Sequence, residues 1–318
     1  MQAFAEDIPI DLPKMGSWTR EQAAAYFESG GAAEPSTEPP QPPPPPPPPS
    51  STVYVPESAL SLAPARTPTP LGRKPRIAFL HGTAGNEAIF RVQLGPLVRV
   101  LREMADLYFI EGSFVVGEDN EQAAIVRQFF GESHTLYEYA RPTTDERQWR
   151  TYAALDAGIE ALEAALADLP GGGADALIGF SQGANLITCL CACGANRAPG
   201  EAPTTAPMSI PGTPTTAPVR IRAAVLLSPA SPGWAAQRPD LFSAPLLTPS
   251  LVAYSETDPQ VCSEHGCGPR NVALLWAPAL VTVFQHSGPG HRPLPVDLKE
   301  RDAFVNEVVA LLKRECPA

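Results

Sequence analysis

The sequence predicts an α/β fold in which a mostly parallel central sheet carries helices on both of its faces. Three observations lead to this prediction. Short apolar runs that end in turn residues alternate with stretches of helical spacing between about residues 74 and 315. The 39 prolines crowd into residues 35–70 and 195–250, outside most of those runs. The part of the chain that remains is long enough to bury one large core.

Six apolar runs predict strands because each is short, buried in character and followed by turn residues. They are RIAFLHG, ADLYFIEG, ADALIGF, IRAAVLLSP, SLVAYSETD and ALVTVFQH. Four stretches predict helices: GPLVRVLREMA, WRTYAALDAGIEALEAALADL, GANLITCLCACG and DLKERDAFVNEVVALLKREC. The second begins at Trp149, and its apolar residues recur at spacings of three and four. In such sheets, functional sites lie beyond the carboxyl ends of the strands.

The composition of residues 1–73 predicts that this Pro-rich segment is a largely disordered appendage with one short helix near 20–29. Its eight consecutive prolines, Pro42 to Pro49, favour an extended polyproline II spacer. The same tract could be a ligand for an SH3-, WW- or profilin-type domain. A second segment, 198–218, predicts a disordered surface insertion of low complexity, or alternatively a flap over the site.

Composition excludes several classes of function. The formal net charge of −11 argues against nucleic-acid binding, and no apolar run reaches the length of a membrane span. The N-terminus lacks the pattern of a signal or transit peptide, and no disulfide framework is apparent, so we expect a cytoplasmic protein.

The cysteines have two settings. We predict that Cys189, Cys191 and Cys193 are buried apolar side chains on one helix. Cys262 and Cys267 bracket His265 in a predicted surface loop, for which a metal loop or a disulfide is the alternative.

The segment Gly179-Phe180-Ser181-Gln182-Gly183 matches G-x-S-x-G between a predicted strand and a predicted helix. A nucleophilic serine needs a sharp strand-to-helix turn that presents its hydroxyl, and side chains two residues away on either side would obstruct that turn. Gly179 and Gly183 meet this requirement. We therefore predict Ser181 as a nucleophile.

A serine hydroxyl needs a base, and the base needs an acid that orients it. His291 lies in HSGPGHRPLP, a Gly/Pro loop between the last strand and the last helix, and is the predicted base, with His286 as the alternative. The acid should follow the strand SLVAYSETD. Asp258 is the predicted acid and Glu256 the alternative, although an aspartate there could also cap a helix.

An oxyanion requires two N–H donors. We predict the backbone N–H of Gln182, directly after the nucleophile, and that of Thr83 in FLHGTAGN after the first strand. Gly82 would allow close approach in that loop. His81 is expected to be structural, because this loop contributes backbone rather than a base.

The motifs FLHGTAGN, IGFSQGAN, YSETD and GPGHRPLP together resemble the FSH-type family of serine hydrolases. The resemblance covers about residues 74–315 and implies the α/β-hydrolase fold, a triad of Ser181, Asp258 and His291, and esterase activity, with thioester release in fungal relatives. The sequence departs from the family in the 198–218 insertion and at Pro289, which replaces a glycine of the closing motif.

The resulting hypothesis is a serine hydrolase of small carboxylic esters or thioesters that needs no metal or cofactor. Two other functions stay open. The domain could be a non-catalytic binding module recruited through its proline tract, or an acyltransferase that uses the same triad.

Overall fold

The structure is a computed structural model that describes residues 69–146, 149–195, 221–255, 257–258, 262–263 and 266–318. Four sequence predictions lie outside the described residues: the helix near 20–29, the tract Pro42–Pro49, the insertion 198–218 and the alternative acid Glu256.

Strands and helices alternate along the described chain. The strands are β1 (Arg76–Leu80), β2 (Asp106–Ile110), β3 (Phe114–Val115), β4 (Tyr137–Glu138), β5 (Arg141–Thr144), β6 (Arg150–Ala153), β7 (Ala176–Phe180), β8 (Ala223–Leu227), β9 (Ser250–Ser255), β10 (Cys262–Ser263), β11 (Gly266–Cys267) and β12 (Val281–His286). The helices are α1 (Glu87–Gln93), α2 (Gly95–Met104), α3 (Glu121–Phe130), α4 (Leu155–Ala167), α5 (Gln182–Ala195), α6 (Gly233–Gln237), α7 (Gly268–Ala273) and α8 (Leu298–Glu315), with a short 3₁₀ turn at Pro278–Leu280.

A six-stranded sheet forms the centre of the fold, in the order β12-β9-β8-β7-β1-β2. Every neighbouring pair in it is parallel, and each of the six strands comes from one of the six predicted runs. The predicted parallel sheet is therefore confirmed. The remaining strands form the antiparallel pairs β3-β4, β5-β6 and β10-β11, which the sequence patterns did not predict.

Alternate side chains of the central strands enter two separate cores. On one face Leu177 and Leu226 pack in the same cluster as α4 and α5. On the other face Ile178 and Val225 pack with α2 and α8. Because helices cover both faces, a central strand such as β8 is apolar at every position instead of alternating.

The strand order reverses between β1 and β7. The chain passes from β1 to β2 on one side, and later enters β7 on the other side of β1. The loops that follow these two strands therefore diverge from a shared crevice at the carboxyl edge of the sheet, by which we mean the edge where the parallel strands end. Ser181 follows β7 at this crevice.

The helix predicted from Trp149 to Leu169 begins later than expected, at Leu155. Residues Arg150–Ala153 instead form β6, which pairs with β5 in the register Arg141↔Ala153. The backbone turns at Ala154, whose φ of 57° lies in the left-handed region. Pairing with a strand 6–12 residues upstream is not visible in the local spacing, so tertiary contacts overrode the helical pattern here.

The C-terminal helix α8 follows the predicted pattern closely. The Asp297 carboxylate accepts the backbone N–H groups of Lys299 and Glu300, which satisfies two donors of the first turn. The helix buries an apolar stripe of residues spaced three and four apart: Phe304, Val305, Val308, Leu311 and Leu312. This stripe covers the sheet beneath the loop that carries His291.

Candidate active site

Ser181 occupies a strained turn between β7 and α5. Its φ is 51°, a left-handed conformation that is costly for a residue with a side chain, and the residue is 7% exposed. The Ser181 N–H donates to the carbonyl of Leu227 at 2.8 Å. This hydrogen bond attaches the backbone of Ser181 to the end of the neighbouring strand β8.

Close packing around this turn explains both glycines of the motif. A Cβ at Gly179 would lie 2.6 Å from the backbone carbon of Gly183. A Cβ at Gly183 would overlap the carbonyl oxygen of Leu80 and lie 2.7 Å from that of His81. The start of α5 therefore approaches the end of β1 at a distance that only glycine permits.

The side chain of Gln182 holds the start of α5 against the segment after β4. Its Oε1 accepts the N–H of Tyr139 at 2.6 Å, and its Nε2 donates to the carbonyl of Ala140 at 2.7 Å. The residue is 1% exposed. Because both ends of the amide are satisfied, the backbone of Gln182 has a single defined position beside Ser181.

The structure brings Asp258 and His291 into contact. The Nδ1 atom of His291 lies 2.6 Å from Oδ2 of Asp258, and the aspartate is fully buried. The imidazole also packs against Phe180, with ring centroids 4.7 Å apart, which brings it next to the serine turn. Its Nε2 is buried and has no hydrogen-bond partner among the described residues. Nδ1 is therefore the ring nitrogen that Asp258 binds, and Nε2 is the one that stays available for a further hydrogen bond.

The loop after β1 lies directly beside Ser181. A Cβ at Gly82 would lie 3.3 Å from the Cβ of Ser181, so the absence of a side chain keeps this approach open. Thr83 follows and is partly exposed, and Ala84 has a φ of 54°. The loop turns at the carboxyl edge of the sheet, next to Ser181.

His81 anchors this loop and has no contact with Asp258. Its Nδ1–H donates to the carbonyl of Gly82 at 2.7 Å, and its Nε2 accepts the N–H of Gly112 at 3.1 Å. Burial lowers the pKa of His81 from 6.5 to about 4. The imidazole is therefore neutral and has both nitrogens in use within the protein framework, as the sequence prediction of a structural role requires.

His286, the alternative base, lies at the end of β12 and is 3% exposed. Burial lowers its pKa, an effect that the charges of Glu300 and Asp258 oppose. Its Nδ1 has no hydrogen-bond partner within the described part of the chain. The structure thus pairs Asp258 with His291, and the described hydrogen bonds of Asp258 do not include His286.

Two residues near the site, Tyr139 and Asn185, were not predicted from the sequence. The hydroxyl of Tyr139 accepts the N–H of His81 and donates to the carbonyl of Ile110 at 2.6 Å. Asn185, one turn after the serine, donates to the hydroxyl of Tyr152 at 2.7 Å and accepts the N–H of Ala230 at 3.1 Å. The only sequence signal for Asn185 was an amide on a mostly apolar helix, and Tyr139 gave none.

An open cavity of about 420 Å³ lies beside the N-terminus of α1. Arg91, Glu111, His134 and Tyr137 are among the residues that line it. Ser181, Asp258 and His291 are not among the residues that line this cavity.

None of the helices in the described ranges is long and apolar enough to cross a membrane. The described His, Cys, Asp and Glu side chains form no group of three or more that could hold a metal ion. Cys189 and Cys191 are free and buried, as predicted, whereas Cys193, also predicted to be buried, is partly exposed near the end of α5. The side chains of the Cys262–Cys267 loop lie outside what the structure describes.

A parallel sheet with a strained serine at its reversal point, followed along the chain by an acid and a histidine, defines the α/β-hydrolase fold. The family model described as serine hydrolase (FSH1) matches residues 71–293. The chain therefore belongs to the FSH1 serine hydrolase family, which confirms the resemblance seen in the sequence motifs.

Individual relatives match shorter stretches. Esterase OVCA2 of Danio rerio is 32% identical over 133 residues, 37% of this chain and 55% of the relative. Esterase OVCA2 of Xenopus tropicalis is 29% identical over 122 residues, 37% of this chain and 52% of the relative. The chain thus spans about half the length of the curated relatives it matches. Among solved structures, esterase PE8 has a TM-score of 0.48 and 19% identity, and the match covers 75% of this chain and 93% of that one.

Proposed function

We propose that this protein hydrolyses carboxylic esters or thioesters through an acyl-enzyme formed on Ser181. The observation that carries the proposal is the 2.6 Å contact between His291 Nδ1 and Asp258 Oδ2, at the same edge of the sheet as the strained serine. A buried carboxylate that binds one nitrogen of an imidazole leaves the other nitrogen to accept a proton. Membership of the FSH1 serine hydrolase family supports the same conclusion.

In the first half of the reaction, Ser181 Oγ forms a bond to the acyl carbon and its proton passes to His291 Nε2. The tetrahedral intermediate then collapses. The bond to the leaving oxygen or sulfur breaks, and Nε2 returns the proton to that leaving group. In the second half, water attacks the acyl carbon and gives a proton to Nε2. The ester bond to Oγ breaks, the acid leaves, and the proton returns to Ser181.

The negative oxygen of each intermediate would accept hydrogen bonds from the backbone N–H groups of Gln182 and Thr83. Two features support this assignment. The side chain of Gln182 is held at both ends, which sets the position of its backbone. The loop that contains Thr83 is held by the neutral His81 and approaches Ser181 at Gly82. Donors that are already oriented cost no reorganisation during the reaction.

A fluorophosphonate probe tests the proposal because it labels only an activated serine. We expect labelling of the full chain and loss of labelling in Ser181→Ala. The control is Ser250→Ala, which removes another buried serine, at the opposite edge of the sheet. This variant should label as wild type does. A folded wild-type protein that is not labelled would instead support a binding module without catalysis.

Substrate class and reaction type need a second measurement. A panel of p-nitrophenyl esters and acyl-CoA thioesters of graded length should yield free acid, and Ser181→Ala should lower kcat by about 10⁴-fold or more. If added alcohol or thiol acceptors take up the acyl group in preference to water, the protein is an acyltransferase that uses the same triad.

Three further proposals rest on the sequence. Residues 74–315 form the catalytic domain, with residues 1–73 as an appendage to it. A cytoplasmic location is supported by the free thiols of Cys189, Cys191 and Cys316, which a reducing compartment preserves. The tract Pro42–Pro49 recruits an SH3-, WW- or profilin-type domain, which a pull-down with and without the tract would test.

A further inference from the structure

Two buried serines at the ends of neighbouring strands bind the loop that carries His291. We propose that Ser228 and Ser255 are positioning residues whose hydroxyls hold this loop, and thereby keep the His291 imidazole on Asp258. The inference rests on the proposed function, since it concerns the same site. It adds two residues that the sequence motifs did not predict to act at the site, although Ser255 lies within the YSETD motif itself.

Ser228 follows β8 directly and has a φ of 44°, in the left-handed region that residues with a side chain rarely adopt. Its N–H donates to the carbonyl of Ala253 at 2.7 Å, which attaches the turn to β9. Its hydroxyl donates to the carbonyl of Arg292 at 3.0 Å. The strained backbone therefore aims a hydroxyl at the residue immediately after His291.

Ser255 ends β9, is fully buried, and bonds to two loops at once. Its hydroxyl donates to the carbonyl of Gly288, three residues before His291. The same oxygen accepts the N–H of Thr257 at 3.1 Å, directly before Asp258. A single hydroxyl thus links the backbone of the loop that carries the acid to the backbone of the loop that carries the base.

The His291 loop needs such attachments because it has little structure of its own. Residues 287–297 contain no helix or strand, and their prolines lack the backbone N–H donor. Ser287 at the start of the loop is bound by Glu300 of α8, at 2.9 Å between Oγ and Oε1. The two serine hydroxyls attach the loop on either side of His291, where small displacements would move the imidazole away from Asp258 and Ser181.

The rival explanation is that both serines only fill space in the core. Ser250 provides the matched control, because it lies on the same strand as Ser255, is 2% exposed, and donates its hydroxyl to the carbonyl of Thr248 at 2.8 Å. Its bond is of the same kind, but it lies at the amino end of β9. Removal of this hydroxyl should affect packing without affecting the His291 loop.

The experiment measures kcat and KM for a p-nitrophenyl ester with Ser228→Ala, Ser255→Ala and Ser250→Ala. We expect kcat to fall roughly 10- to 100-fold in the first two variants, with KM within about twofold of wild type, because a misplaced base slows the chemistry and leaves binding intact. Ser250→Ala should keep the wild-type kcat. A wild-type kcat in folded Ser228→Ala and Ser255→Ala would overturn the proposal.

Ser228→Gly separates the hydroxyl from the backbone strain. Glycine adopts a positive φ freely, so this variant should melt at a higher temperature than Ser228→Ala and yet have the same reduced kcat. Recovery of kcat in Ser228→Gly would show that the backbone, not the hydroxyl, matters. The comparison of Ser228→Gly with Ser228→Ala tests the role of the Ser228 hydroxyl even if Ser255→Ala does not fold.

Hydrogen exchange tests the positioning role without any activity. The amides of Gly288, Gly290, His291 and Arg292 should exchange faster in Ser228→Ala and Ser255→Ala than in wild type, and Ser250→Ala should leave them unchanged. Unchanged exchange in the first two variants would overturn the proposal. If wild type shows neither labelling nor hydrolysis, the proposed function fails, and this exchange pattern still decides whether the two hydroxyls hold the loop.

Discussion

His291 Nδ1 lies 2.6 Å from Asp258 Oδ2 although the two residues are separated by 33 positions and lie in different loops. The loops follow β9 and β12, which are hydrogen-bonded neighbours in the sheet with Ser255 opposite His286. Parallel register therefore brings the two loops to the same edge. The contact is a consequence of strand order, and four predictions test what it and its surroundings do.

Replacement of Asp258 by asparagine should keep the shape of the site and remove the charge that orients the imidazole. An amide in this place can donate to Nδ1, which favours the wrong tautomer for proton transfer from Ser181. We expect kcat to fall about 10³- to 10⁴-fold in an ester assay. Asp168→Asn, at the exposed end of α4, should retain the wild-type rate. Equal rates for the two variants would contradict the acid role of Asp258.

The close approach at Gly183 should make it intolerant of a side chain. Gly183→Ala forces a methyl group into the carbonyls of Leu80 and His81, so we expect a loss of several kcal/mol in the free energy of unfolding, or no folded protein. Gly194→Ala is the control, because a Cβ there meets nothing within 4 Å in the same helix. It should raise stability by about 0.5–1 kcal/mol, measured by urea unfolding.

The buried neutral His81 should make the protein less stable in mild acid. Its pKa in the folded state, about 4, is below the ordinary value of 6.5, so the unfolded chain takes up the proton first. The contribution of neutral His81 to the free energy of unfolding is complete above pH 6.5, decreases as the pH falls, and is lost near pH 4. The whole change is about 3 kcal/mol. Protonation would also turn the Nε2 acceptor of Gly112 N–H into a donor.

Urea unfolding of wild type and His81→Asn between pH 7 and pH 4.5 measures this effect. The variant should show a smaller decrease in the free energy of unfolding over that range, because it lacks the titrating group. Parallel pH curves for the two proteins would show that His81 does not contribute to acid sensitivity.

The amide of Gln182 should be needed at both of its ends. In Gln182→Glu the Nε2 donor is lost, and a buried carboxylate oxygen faces the carbonyl of Ala140. We expect a loss of about 3 kcal/mol in the free energy of unfolding and a lower kcat, because the proposed oxyanion donor, the Gln182 backbone N–H, moves. Gln128→Glu makes the same chemical change at an exposed position of α3 and should be neutral. Activity equal to wild type in Gln182→Glu would argue against a positioned donor there.

Much of the framework could be read from local patterns. The six apolar runs became the six strands of the sheet, and G-x-S-x-G lies at a strand-to-helix turn with a φ of 51° at Ser181. These features can be predicted from short stretches of sequence. Burial on both faces makes a central parallel strand apolar throughout, and steric limits require glycines in a tight turn. The predicted start of α4 was wrong because residues Arg150–Ala153 form β6, which depends on pairing with β5.

The sequence by itself determined the six strands of the central sheet and the positions of Ser181, Asp258 and His291 after the ends of three of them. Only the tertiary structure decided which of them meet: that Asp258 contacts His291, and that Ser228 and Ser255 bind the loop between Gly288 and Arg292. Local sequence encodes local backbone preference. Contacts between loops depend on the order of strands in the sheet, which arises when all the apolar faces are buried together.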